Sequence, residues 1–142
     1  MAISHELIID APVERVWNLT MDVEAWPDTT PTMTAVERLD DGPLQPGSRA
    51  RIKQPGQPAR VWTVTALEPE SLFVWETRAA GLRMTASHRL AAAGDGRCRN
   101  TLEIELAGPL AGVVGRLLGR RLLKTIATEN EGFRRAAETV HS

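Results

Sequence analysis

The chain has no tyrosine and a single cysteine, Cys98, and its aromatic content is limited to four tryptophans and two phenylalanines. Without tyrosine, no phenol is on hand for acid–base work. One cysteine excludes an intrachain disulfide, and Cys98, beside a turn in RCRN with no histidine partner at a readable distance, is read as non-catalytic. No charge of either sign predominates: 17 basic and 18 acidic residues give a formal net charge of −1, so nothing in the overall balance points to nucleic acid as a partner. Long hydrophobic runs are missing too. The longest uncharged stretch, Leu106 to Gly115, is far short of the roughly 18 apolar residues that span a bilayer. The opening MAISHELIID carries no basic segment followed by an apolar core, and a reducing cytoplasm is the expected compartment.

Familiar chemical signatures are absent as well. The sequence holds no glycine-rich phosphate loop, no GxSxG elbow and no CxxC pair. Its three histidines, His5, His88 and His141, have no metal-ligand spacing, so no metal and no cofactor are expected. No repeat or flexible linker divides the 142 residues, which suits one domain over 1–142 with a core of its own.

What is present is a pattern of elements. ISHELIID reads as a strand. APVERVWNL follows with Val13, Val16 and Trp17 at helical spacing and Pro12 in the first turn. MDVEAWPDTTP suggests a second short helix that stops before Pro27, because a residue preceding proline avoids the helical region. From there to about residue 107, strands alternate with the turn segments DDGPLQPG, QPGQP, EPES, AAG and AAAGDG, an antiparallel meander. Ala50 and Ile52, then Met84, Ala86, His88 and Leu90, then Leu102, Ile104 and Leu106 mark its apolar face. VWTVTAL and SLFVWE divide less cleanly, and Trp62, Val64, Phe73 and Trp75 are assigned inward.

After Gly108-Pro109 a helix of about thirty residues is expected. At 100° per residue, Gly115, Leu118, Gly119, Leu122 and Ile126 fall on one face, continued by Glu129, Phe133, Ala136, Ala137 and Val140. Arg116, Arg120, Lys124, Glu131, Arg134 and Glu138 take the other side. The run GVVGRLLG, residues 112–119, is costly for a helix, since each interior glycine gives up about 1 kcal/mol relative to alanine. With a membrane span excluded by length, Gly115 and Gly119 either let the helix sit close to the sheet or leave volume for a guest.

The stretches IIDAPVERVWNLTMDVEAWP, VWTV, FVWE and AGPLAGVVGRLLGRRL leading to FRRAAE resemble the polyketide cyclase/dehydrase branch of the START-like, or SRPBCC, superfamily over nearly the whole chain. The resemblance implies an α+β helix-grip fold. A curved antiparallel sheet would wrap the long C-terminal helix, two short helices would follow the first strand, and a deep cavity would lie between sheet and helix. The branch includes hydrophobic-ligand binders and aromatase/cyclases. The latter commonly use a pocket tyrosine, which this chain lacks.

In such a cavity, Trp26, Trp62, Phe73, Trp75 and Met84 are candidate walls for a flat apolar ligand. Ile104, Gly115, Gly119, Leu122 and Ile126 are the candidates from the facing strand and helix. Glu129, set between Ile126 and Phe133 on the apolar helix face, is a candidate ligand-orienting group or general acid/base. The alternative is a carboxylate that reaches solvent or an arginine. His88 is the second candidate catalytic group, a proton shuttle or hydrogen-bond donor to a carbonyl, against the alternative of a satisfied core histidine. Two functions follow: binding of a lipid- or polyketide-like hydrophobic or amphipathic molecule, or cyclase/dehydrase chemistry on a poly-carbonyl substrate. Arg116, Arg120 and Lys124, with Arg121 nearby, read as a solvated helix face; the alternative is weak peripheral contact with an anionic membrane or an acidic partner.

Overall fold

The computed structural model describes residues 2–139; Val140 and His141, which the sequence places on the inward helix face and in the tail, lie outside the described residues. The chain runs β1 (Ala2–Ile9), α1 (Val13–Met21), a 3-10 turn (Val23–Ala25), α2 (Trp26–Thr29), β2 (Ala35–Arg38), β3 (Arg49–Lys53), β4 (Arg60–Glu68), β5 (Leu72–Ala79), β6 (Leu82–Ala92), β7 (Cys98–Ala107) and α3 (Ala111–Glu138). The seven strands of the described residues form one curved antiparallel sheet in the order β1-β7-β6-β5-β4-β3-β2. Strands β2 to β7 pair as successive neighbours, and only β1 joins from far away in sequence, against β7. The register shifts between Val64 and Ala66 where β4 meets β5, an irregularity of the kind that sharpens local twist and bend.

Alternation along the strands puts the apolar residues on the face that α3 covers. Ala50, Ile52, Trp62, Val64, Phe73 and Trp75 are buried, as are Ala86, His88, Leu90, Leu102, Ile104 and Leu106. The pairing aligns Phe73 with His88 and His88 with Leu102, while the neighbouring row aligns Trp75 with Ala86 and Ala86 with Ile104. The long helix packs chiefly on β1 and β7 and touches α1 and α2. Among the described residues, no helix is long and apolar enough to cross a membrane.

The start of α3 is fixed by a clasp with the β5–β6 turn. Gly108 has φ +103°, and a Cβ there would press on the carbonyl oxygen of Gly81. That oxygen accepts a hydrogen bond from the Leu110 amide at 2.8 Å. Only glycine fits both the left-handed backbone and the close approach.

Two expectations change. Pro27 does not end a helix; it sits in the first turn of α2, with Trp26 before it in helical conformation (φ −56°, ψ −35°). Proline is tolerated there because the first turn needs no N–H from it. On α3, Leu118 lies on the sheet-facing side but is exposed, and Gly119 is only half-buried, while Asn130 and Gly132, not anticipated, are buried.

Candidate functional site

Between α3 and the concave sheet face lies a cavity of about 440 Å³, within the range typical of small-molecule sites. Strands β3 to β7 supply one wall, the loop after α2 supplies Met33, and α3 supplies the other wall through Val114, Leu118, Leu122, Thr125 and Glu129. Those helix residues recur every three or four positions and so form one edge of α3. Gln57, Arg121 and Leu118 are exposed and Arg60 is half-buried, which places the mouth beside them; Trp26, Trp75, His88, Ile126 and Glu129 are buried and close the other end.

Trp26 organises the closed end. Its Nε1 donates to the Leu19 carbonyl at 3.1 Å, which satisfies its polar atom and frees the ring for packing. The ring stands edge to face with Trp75 at 5.3 Å and with Phe133 at 5.7 Å, and lies 5.2 Å from the His88 ring. Aromatic pairs at such distances and angles stabilise beyond their area alone.

Two buried polar groups sit at the closed end of this chamber. Glu129 is only 9% exposed, and its Oε1 accepts a hydrogen bond from Thr32 Oγ1 at 3.1 Å. Thr32 is itself tied to Thr30 through both its hydroxyl and its amide. Burial pushes the carboxyl pKa from 4.5 up to about 7, with the Thr32 bond pulling the other way. His88 is 3% exposed, and its Nδ1 has no partner among the described residues. Burial lowers the imidazole from 6.5 to about 4, so the ring is neutral at neutral pH. A neutral imidazole with a ring nitrogen unpaired and a carboxyl poised near neutrality can each give or take a hydrogen bond from a carbonyl or hydroxyl.

Of the residues singled out from sequence, Trp26, Trp62, Trp75, Met84 and His88 line the cavity, and so do Ile104, Leu122, Ile126 and Glu129. Phe73 does not. It is fully buried behind the wall, 4.9 Å from the Trp75 ring and 5.7 Å from His88, and supports both from the core side. Gly115 and Gly119 are not in the wall either: the cavity faces the Val114–Leu118–Leu122 edge, and both glycines stand one step round the helix from it. Cys98 is buried away from the chamber, with its thiol pKa raised by desolvation. Sequence reasoning missed Met33, Ile52, Leu82 and Val114 in the wall, Gln54, Gln57, Arg60 and Arg121 towards the mouth, and Thr32 behind Glu129. Ile52 had a visible signal in its alternation with Arg51 and Lys53; the loop residues had none.

A family model described as polyketide cyclase/dehydrase and lipid transport matches residues 2–138. No curated protein matches the chain in sequence. Among solved structures, the ZhuI aromatase/cyclase from Streptomyces sp. R1128 superposes with a TM-score of 0.79 at 19% identity, covering 97% of this chain and 93% of that one. A START superfamily protein from Mycobacterium smegmatis gives 0.74 at 16% identity, covering 95% and 97%. Norcoclaurine synthase from Thalictrum flavum, in complex with dopamine and hydroxybenzaldehyde, gives 0.75 at 16% identity, covering 100% and 89%. At these identities the likeness is one of fold.

Proposed function

The chain belongs to the polyketide cyclase/dehydrase and lipid transport family, and on that premise we propose that it binds a small amphipathic molecule, apolar over most of its surface, with a carbonyl or hydroxyl end directed at Glu129 and His88. The observation that carries this reading is the composition of the chamber: an aromatic and aliphatic wall around about 440 Å³, with two buried polar groups at its closed end. An unfilled apolar void of that size would be expensive for the fold, at roughly 24 cal/mol per Å³ of cavity, so a guest or water is expected inside. The fold relative solved with dopamine and hydroxybenzaldehyde holds small polar aromatics of this chemical kind.

The test is ligand-dependent melting across a library of flat apolar molecules with and without one carbonyl or hydroxyl group, together with mass spectrometry of whatever co-purifies. The reading predicts that oxygenated members raise the melting temperature more than their hydrocarbon counterparts, since a ligand that binds only the native state stabilises it. No rise across the library defeats it.

A second reading, catalysis of cyclisation or dehydration on a poly-carbonyl substrate, is favoured by one specific observation. A carboxyl with pKa about 7 populates both its acid and base forms near neutral pH, which suits proton transfer. Turnover abolished by Glu129→Gln with ligand affinity preserved would support it; binding without any turnover of carbonyl substrates would count against it.

A further inference from the structure

We propose that the first half of α3 is a docking face for an anionic lipid surface, and that docking there brings the cavity mouth against the lipid. Seven large apolar side chains are left exposed among the described residues, and five of them, Leu110, Val113, Leu117, Leu118 and Leu123, fall within this one short stretch. Leu117 is the extreme case at 73% exposure. At 100° per residue, Leu110, Val113 and Leu117 share the outermost strip of the helix, with Arg116 and Arg120 along one side, Arg121 on the other and Lys124 one turn further. From Leu106 to Thr128 the sequence has no Asp or Glu. None of these four cations is in an ion pair among the described residues; the ion pairs lie elsewhere, on the outer sheet surface and at Arg134–Glu131.

The charge pattern selects the occupant. A second copy laid on this strip would bring arginine against arginine. An acidic protein surface would answer the cations and leave the leucines without an apolar bed. A phospholipid surface answers both, because an amphipathic helix sinks its apolar strip to the acyl boundary while flanking cations meet anionic headgroups. The placement adds to this: Leu118, Arg121 and Leu122 belong both to this half of the helix and to the cavity lining. Vesicle binding does not depend on which ligand the cavity takes.

Co-sedimentation of the full chain with phosphatidylcholine vesicles, with and without phosphatidylglycerol, at low and high salt, tests the proposal. Binding is expected only with the anionic lipid and should weaken as salt rises. Replacing Arg116, Arg120 and Lys124 together by glutamine should lower partitioning about a hundredfold, from about fivefold per cation. Leu117→Glu should lower it at least about tenfold while leaving the melting temperature unchanged, because the side chain touches little in the fold. Three results would overturn the proposal: no binding to anionic vesicles, binding that neither variant alters, or a concentration-dependent dimer that Leu117→Glu dissolves while vesicles stay unbound.

Discussion

The two halves of α3 are built on opposite terms. Between Ala111 and Thr125 the only buried residue is Gly115, whereas from Ile126 to Glu138 the helix buries Ile126, Glu129, Asn130, Gly132, Phe133 and Ala137. The glycines show the contrast most directly. A Cβ on Gly112 or Gly119 would meet nothing within contact distance, while one on Gly132 would collide with the carbonyl oxygen of Thr29 at the end of α2. Asn130 adds a polar anchor to the second half. Its Oδ1 accepts from Asn100 Nδ2 at 2.9 Å, and its Nδ2 reaches the carbonyls of Asn100 and His5 at 3.1 and 3.2 Å, stitching α3 to β7 and β1. One half of the helix is therefore the keel of the fold, and the other is the roof of a chamber. A given residue type means different things in each.

The sharpest way to break this contrast is Phe133→Ala. Phe133 is 2% exposed and meets Trp26 and His88 edge-on, so truncation should remove about 4 kcal/mol from the unfolding free energy in a denaturant titration. A loss below about 1 kcal/mol would show that the second half is not the anchor.

Next comes the pH dependence of the pair at the junction of the halves. Glu129, raised from 4.5 to about 7, holds a proton in the folded chain that the unfolded chain has released, so its contribution to stability is present below pH 4.5 and lost as pH rises to about 7. His88, lowered from 6.5 to about 4, lacks a proton that the unfolded chain binds, so its contribution is present above pH 6.5 and lost as pH falls to about 4. In the wild type the two slopes oppose each other between pH 4.5 and 6.5. Relative to wild type, Glu129→Gln should make stability rise with pH across that window and His88→Gln should make it fall, each by roughly 3 kcal/mol over its full range. Melting curves as a function of pH read both, and parallel curves for the three proteins would remove the chamber's polar pair from the account.

Smaller effects separate the glycines. Gly132→Ala should destabilise by about 1 to 2 kcal/mol, the net of steric strain against Thr29 and the helix propensity gained. Gly119→Ala, with open space around the new methyl group, should stabilise by up to about 1 kcal/mol. Equal signs for the two in chemical denaturation would erase the distinction between keel and roof.

The sheet was legible in the sequence because one buried face imposes a period of two: Ala50 and Ile52, Ala86, His88 and Leu90, and Leu102, Ile104 and Leu106 all point as the alternation requires. The long helix was legible in extent and less so in rotation. Its apolar stripe faces β1 and β7, but the cavity opens along the neighbouring edge, so the pattern caught Leu118, Leu122, Ile126 and Glu129, added Gly115 and Gly119, and missed Val114. Propensity and local spacing were silent on contacts made by distant residues. Thr32 and Glu129 are 97 positions apart, and neither Thr32 in PTMT nor Asn130 in a helix carries a local mark of its role. Phe73 shows the remaining limit, since alternation separates inside from outside but not cavity wall from the layer behind it.

The clasp between Gly81 and Leu110 gives the roof a mechanical character. From that hydrogen bond to Ile126, the first buried side chain of the second half, the helix runs about 24 Å at 1.5 Å per residue, held at both ends and lightly supported between. A beam supported in that way yields by bowing. If the chamber takes guests as proposed above, those of different thickness would be met by curvature of this one helix, with both bearings kept, instead of by repacking of the sheet.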